Sequence, residues 1–388
     1  MRGWRGQVAA FVVAGVVLLG VAPLVLDAFR LGLLAKFCCL GIVAVGIGIA
    51  WGRGGMLSLG QGAFFGLGAY VMAMHLKLAD AGPDGVPDFM LLYGSGVVPA
   101  WWEPLRSPVV TVLAVLLVPT LAAGALGWAV FSRRVRGAYF SILTQAVAVA
   151  FATLLVGQQA VTGGTNGLNG FRTWFGFVLA DPVNRRMLYT VVVSVLLVAI
   201  AGSWLLARSR FGELLVAVRD QENRVRFLGY DPALVKTVAF ALAGMLAGVG
   251  GALFVPVVGI VSPSDVGAVA SISLLVGVAI GGRATVWGPA IGTVVVNWAQ
   301  SSLSEAYPSQ WTYLQGALFI VVVALLPGGV ASLGGPVGRA VGRLGRRGGT
   351  GPGAPPGAGP GAPPRTDDGA GEGVVGSDVA ARAAGGRP

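Results

Sequence analysis

Residues 107–132 read SPVVTVLAVLLVPTLAAGALGWAVFS, a run without one Asp, Glu, Lys or Arg. A helix needs roughly 20 apolar residues to cross the hydrocarbon core of a bilayer, with about 17 as a lower limit. This run qualifies outright, and it is not alone. Charge-free runs recur at 6–26, 37–52, 54–76, 137–171, 187–207, 237–264, 266–282, 284–304 and 306–338. Over 388 residues, 55% are hydrophobic and only 11% charged, where soluble domains carry about 25% charged residues. Mean hydropathy is +0.78. A soluble enzyme is excluded on these grounds. The fold class is all-α: a polytopic membrane protein of about ten transmembrane helices.

The weaker runs need individual reading. Run 37–52 is short, but Lys36 can snorkel from the interface, so the span can start near Leu31. Run 266–282 is marginal. Run 54–76 is Gly-rich and reads as either a full span or a re-entrant element. Residues 89–102 (FMLLYGSGVVPAWW) are too few to cross, and Trp101 and Trp102 suit an interfacial segment. The first run is longer than a signal-peptide core and reads as the first span. From about residue 333 the chain turns to Gly/Pro/Ala sequence, a cytoplasmic tail (333–388) expected to be disordered because it cannot bury a core.

Basic residues set the orientation. With ten spans and the N-terminus inside, the inside segments hold Arg2, Arg5, Arg53, Arg133, Arg134, Arg136, the bases of 208–236, Arg283 and those of 339–347. The outside segments hold fewer: Arg30, Lys36, Lys77, Arg106, Arg172, Arg185 and Arg186. The positive-inside rule therefore places both termini in the cytoplasm. The net charge of +11 is largely this topology signal. Its bases are scattered over short loops, which argues against nucleic acid as a partner.

What the spans lack is equally informative. His75 is the sole histidine, and Cys38 and Cys39 are adjacent within a span. No metal site and no catalytic set can be assembled from these, so the chain does not read as an enzyme. No charge-free run holds a carboxylate to carry a proton, so the energy for any transport should come from outside the membrane domain. Charge-free spans also favour a neutral solute. Small-xxx-small pairs at Gly48/Gly52, Gly62/Gly66, Gly244/Gly248 and Gly288/Gly292 read as close helix packing.

The densest mixed-charge segment between spans is 208–236, RSRFGELLVAVRDQENRVRFLGYDPALVK. Phe211, Leu214, Leu215 and Val218 recur at helical spacing, which predicts an amphipathic helix. A second short helix, Asn223 to Leu228, ends at Gly229, and Pro232 prevents its continuation. The segment reads as a surface element on the cytoplasmic side, suited to a partner that pushes on the helix that follows.

Three blocks carry a resemblance. WGRGGMLSLGQGAFFGLGAY (51–70), RDQENRVRFLGYDPALVKTVAFALAGMLAGVGGAL (219–253) and VAIGGRATVWGPAIGTVVVN (278–297) resemble branched-chain amino acid ABC importer permeases. TGGTNGLNGF (162–171), VSPSD (261–265) and VNWAQSSLSEAYPSQWTYLQGALFIVVVALLPGG (296–329) are similar to the urea-importer branch of that family. Ala284 replaces the usual Gly, Asn223–Arg226 is more polar than the common Ala-rich stretch, and the tail lies outside the family pattern. The resemblance implies a permease domain over 1–332 in the plasma (inner) membrane. It implies a heterodimer with a second homologous permease, two cytoplasmic ABC ATPases and an extracytoplasmic solute-binding protein. ATP and Mg would sit on the ATPases; this chain has no Walker A motif and no cofactor of its own. The loop 208–236 would be the coupling element, with Glu213, Arg219, Asp220, Glu222 and Gly229 as its key positions. Urea, or alternatively a branched-chain amino acid or short amide, would be the solute; a passive urea channel is the reading from another class. A pathway for urea needs hydrogen-bonding groups without a counter-ion. Thr162, Thr165, Asn166 and Asn169 in the outer loop, and Asn297, Gln300 and Ser301 near a span end, are the candidates, with turn formation the stronger role for Asn166 and Asn169.

Overall fold

A computed structural model describes residues 11–135, 137–283 and 285–306, together with Tyr313, Gly316 and Ala317. The chain divides into two units, Met1–Arg339 and Ala340–Pro388. Only residues of the first are described. The expected span 306–338, the tail, Ala284 and most of the 296–329 block lie outside the described residues.

The elements are α1 (Phe11–Val25), α2 (Ala28–Arg53), α3 (Gln61–Ala81), α4 (Pro108–Phe131), α5 (Ala138–Gly157), α6 (Pro182–Arg208), α7 (Arg210–Phe227), α8 (Pro232–Val258), α9 (Ala268–Gly281) and α10 (Gly288–Ala306). Among the described residues, α2, α3, α4, α5, α6 and α8 are long and apolar enough to cross a membrane. Helix ends follow capping rather than charge gaps. Asp181 accepts Val183 N–H at 3.0 Å and Asp231 accepts Ala233 N–H at 2.9 Å, each followed by a proline whose missing N–H costs nothing at the first helical position. Helices therefore run past the charge-free runs: α2 contains Arg30 and Lys36, and α3 contains Lys77 and Asp80.

α8 is the axis of the bundle and packs on α2, α3 and α4. The apolar window of α3 is 89% buried and that of α4 only 22%. Val109, Leu113, Leu117 and Leu121 on α4 accordingly face outward, as a lipid-facing surface requires. Close approach depends on glycine. A Cβ on Gly248 would overlap the ring of Pro119 on α4, and one on Gly48 would lie 2.7 Å from Pro289 of α10. Gly288 and Gly292 on α10 meet the backbone of Gly281 and Gly277 on α9, and Gly62 and Gly66 meet Val266. The Phe64, Phe140 and Phe131 rings pack around Phe240 of α8.

The run 54–76 divides in two. Residues 54–60 are non-helical, and α3 starts only at Gln61. Irregular backbone inside a membrane must find polar partners within the protein. Hydroxyls of other helices supply them: Ser141 Oγ donates to Leu57 O (2.7 Å), Leu59 N–H donates to Thr144 Oγ1 (3.1 Å), and Gly62 N–H donates to Ser271 Oγ (2.9 Å).

The run 266–282 yields a helix of 14 residues, α9, too short to span alone. The chain before it is occupied by a strand, β4 (Ile260–Val261), and by a capping box on Ser262 and Asp265. β4 pairs antiparallel with β1 (Leu168–Asn169), while β2 (Thr173–Trp174) pairs with β3 (Phe177–Val178). These two strand pairs, β1–β4 joined across the chain and β2–β3 a hairpin, close the end opposite α7. There Asp80 accepts both backbone N–H groups of Arg172 and Thr173, at 2.8 and 3.2 Å, and Lys77 pairs with Asp88 at 2.9 Å. His75 is a core residue, its ring nitrogen 2.6 Å from Leu105 O.

Candidate functional site

The charged segment folds as α7, with a break at Gln221 (φ −147°, ψ 66°) that separates its two halves. Ser209 caps it by accepting Gly212 N–H at 3.2 Å. Leu215 and Val218 are buried against the bundle, with Phe211 and Leu214 partly buried beside them. Gly229 adopts φ +87°, the left-handed conformation that lets the chain leave the helix and enter Asp231–Pro232.

Two latches join α7 to the innermost helices. Arg219 Nη1 donates to Gly52 O at 2.8 Å, at the end of α2. Gly55 (φ +69°) passes so close that a Cβ there would lie 2.7 Å from Arg219 Cγ. On the other side, Lys236 of α8 donates to Glu222 Oε2 at 2.7 Å, and Arg226 reaches Glu222 Oε1 at 3.4 Å. Arg53 closes the α6 end by donating to Ala207 O at 3.2 Å. α7 is thus tied to both α2 and α8.

The sequence-derived island residues separate by role. Glu213 and Asp220 are exposed, and Asp220 pairs with Arg219 at 2.8 Å. That hydrogen bond holds the Asp220 carboxyl below the ordinary carboxylate value. Glu222 turns inward as a strut. Sequence reasoning missed the apolar tip: Phe227 is 89% exposed and Leu228 76%, with Tyr230 and Leu234 beside them in sequence and also exposed. Two consecutive large apolar residues before a Gly-terminated helix end were the available signal. A cleft of about 570 Å³ opens beneath the island, lined by Gly55, Phe131, Ser141, Arg219, Glu222 and Lys236 among others.

The expected pathway residues do not form one set. Thr162 is buried, and its hydroxyl donates to Leu155 O (2.6 Å) and Gln158 O (2.9 Å), a local structural role. Thr165, Asn166 and Asn169 are exposed on the outer loop, with Asn169 in β1. Ser301 lines a cleft with Asp27, Arg30 and Trp298. Asn297 and Gln300 line one cavity, of about 190 Å³, and it contains charge: Lys36 and Asp265 line it too. Lys36 lies within α2, which begins at Ala28, three residues before the start expected near Leu31.

Several buried polar groups among the described residues lack a partner, Gln61 with both of its side-chain atoms: the first residue of α3, it is 1% exposed, and neither its Oε1 nor its Nε2 finds a hydrogen bond.

A family described as "Branched-chain amino acid transport system / permease component" matches residues 29–323. Over 307 residues the chain is 26% identical to the high-affinity branched-chain amino acid transport system permease protein LivM of Salmonella typhimurium, which covers 73% of this chain and 65% of that protein. It is 22% identical over 302 residues to BraD of Pseudomonas aeruginosa, covering 74% and 90%. It is 23% identical over 303 residues to LivH of Salmonella typhimurium, again covering 74% and 90%. The chain thus spans somewhat under two thirds of the LivM length, 65%. No solved structure matches.

Proposed function

The chain belongs to the family of branched-chain amino acid transport permease components, and from that premise we propose that it is the membrane-spanning subunit of an ATP-driven importer for urea. Membership of that family and six membrane-length apolar helices make it a multi-pass membrane protein. Its relatives are named as transport permeases, not enzymes. The reading beyond the family rests above all on α7, a charged helix tied by Arg219 to α2 and by Glu222 to α8.

In this mechanism two partner ATPases bind ATP and Mg in the cytoplasm and engage the exposed face of α7, through Glu213, Asp220 and the Phe227–Leu228 tip. Apolar contact supplies affinity, and the charges set register. Closure of the ATPases displaces α7, and its two latches shift the inner ends of α2 and α8 together. In this reading the movement is driven by the partner ATPases through α7. A second permease completes the conduit; LivM and LivH are two such permease proteins of one organism. A solute-binding protein docks outside. About ten spans with both termini inside fit this arrangement, since Arg53, Arg208, Arg219 and Arg283 gather at the α7 end.

Urea is supported by the sequence blocks 162–171, 261–265 and 296–329. A second reading, a branched-chain amino acid, is favoured by the printed names of the relatives. Titration of the genetically linked solute-binding protein with urea and with leucine separates them: tight urea binding is expected, and leucine binding alone overturns the choice. A passive channel is tested by reconstituting the chain without partners, where no substantial urea flux is expected.

A further inference from the structure

Lys36 on α2, Asp265 after β4, and Asn297 and Gln300 on α10 reach one cavity of about 190 Å³ from three separate parts of the chain. From this convergence we infer that the cavity is a solute-binding subsite inside the permease. Its ligand carries an oxygen acceptor at one end and N–H donors at the other, a pattern shared by urea and by the carboxylate and ammonium of an amino acid.

The placement is that of a station along a path. Lys36 lies nine residues into α2 from its Asp27 cap, about 13 Å at 1.5 Å per residue. Its side chain also lines a larger cleft of about 530 Å³ that takes in Phe171, Leu179 and Arg185 of the hairpin end. Lys36 therefore stands between that outer cleft and the inner cavity. Phe65 of α3 borders the inner cavity, and Gln61 lies one turn deeper on the same helix face. Its carboxamide is unpartnered and fully buried. Outer cleft, charged cavity and orphaned amide succeed one another along the bundle.

The chemistry of the lining is complementary. Among the described residues no ion pair joins Lys36 to Asp265, though both line the cavity. Opposite charges that line one half-buried cavity without meeting are brought into contact by a ligand that bridges them. Asp265 uses Oδ2 to accept Ser262 N–H and Oγ–H, both at 2.9 Å, which fixes the carboxylate and leaves Oδ1 outside the capping box. Asn297 donates its Nδ2 to Thr293 O at 2.8 Å, so its Oδ1 remains an acceptor. Lys36 thus supplies donors for a carbonyl or carboxylate oxygen, and Asp265 and Asn297 supply acceptors for N–H groups. Leu40, Phe65, Phe254 and Leu274 add apolar surface beside these polar groups.

This inference rests on the importer reading, and one experiment separates the two. The complete transporter, with both permeases, ATPases and binding protein, is reconstituted in vesicles and supplied with labelled urea or labelled leucine. Lys36→Met and Asp265→Asn are each expected to lower ATP-dependent uptake by about tenfold or more, the loss of one charge-assisted contact, while assembly and ATP hydrolysis stay near wild type. Uptake retained by both variants overturns the cavity and leaves the importer standing. Absence of ATP-dependent uptake of either solute by the wild-type transporter overturns the importer reading, and the cavity with it. If either variant disturbs assembly, Asn297→Cys decides, with the buried Cys38 and Cys39 of the unaltered chain as background. Thiol labelling slowed by saturating urea or leucine supports the subsite and names its solute. Labelling unchanged by both overturns it.

Discussion

Glu222 of α7 and Lys236 of α8 meet at 2.7 Å with only 14% and 13% of their side chains exposed. A charged surface segment thereby reaches into the helix at the centre of the bundle. Glu222→Gln leaves Lys236 with a weakened partner in a largely buried place. We expect a loss of about 2 kcal/mol, below the range for breaking a fully buried pair because water still reaches both groups. Thermal unfolding of the purified chain in detergent measures it, and a double-mutant cycle with Lys236→Met should recover part of the loss.

The apolar tip of α7 makes a contrasting case. Phe227 is 89% and Leu228 76% exposed among the described residues, so Phe227→Ser with Leu228→Ser should leave thermal stability within about 0.5 kcal/mol of the parent. Co-purification of the ATPases should fall by about tenfold, as for loss of an interface anchor. Unchanged co-purification would remove the tip from the docking face.

Glycine positions separate by what surrounds them. Gly248→Val drives a branched side chain into Pro119 and should prevent folded protein from accumulating in the membrane. Gly202→Ala on α6 meets nothing within 4 Å and should be neutral, or stabilising by up to about 1 kcal/mol through helix propensity. Expression level and melting temperature in parallel read both.

Gln61 carries an unpaired carboxamide in the packed interior. Gln61→Met keeps the length and removes two unsatisfied polar atoms, so it should stabilise the bundle by about 1–3 kcal/mol. A lower melting temperature would mean that the amide is satisfied in the folded protein.

At the opposite end, burial raises the Asp88 carboxyl, but the hydrogen bond and charge of Lys77 and the N–H of Phe89 outweigh it. The net effect holds the carboxyl below its ordinary value of 3.8. A depressed folded-state value means that the stabilisation is present above the ordinary carboxylate range and is lost as pH falls through the lowered value. Acid should therefore loosen the 77–93 region, seen as faster amide exchange below about pH 4. Asp88→Asn should remove that pH dependence. No effect is expected between pH 6 and 8.

Charge-free runs and capping residues made the helices readable. SPVVTVLAVLLVPTLAAGALGWAVFS is a membrane-length segment in any context, and Asp181–Pro182 and Asp231–Pro232 begin helices by local chemistry alone. The two halves of α7 were readable for the same reason: Leu215 and Val218 share a face at helical spacing, and Gly229 ends the second half. The shortness of α9 was not readable, because a strand pairing with Leu168–Asn169, far away in sequence, claims the residues before it.

Composition and spacing by themselves determined that this chain lies in lipid as packed helices with one charged elbow, because hydrophobic transfer and helix capping act over a few neighbouring residues. Tertiary structure alone decided which charges enter the interior. Lys36 and Asp265 stand more than two hundred positions apart in the chain, and no local rule relates them. They share a cavity only because α2, α3 and α8 pack closely through glycine and the stretch 259–267 folds back toward α3. That close packing also brings Glu222 against Lys236 of α8, a contact that spacing along the chain did not predict.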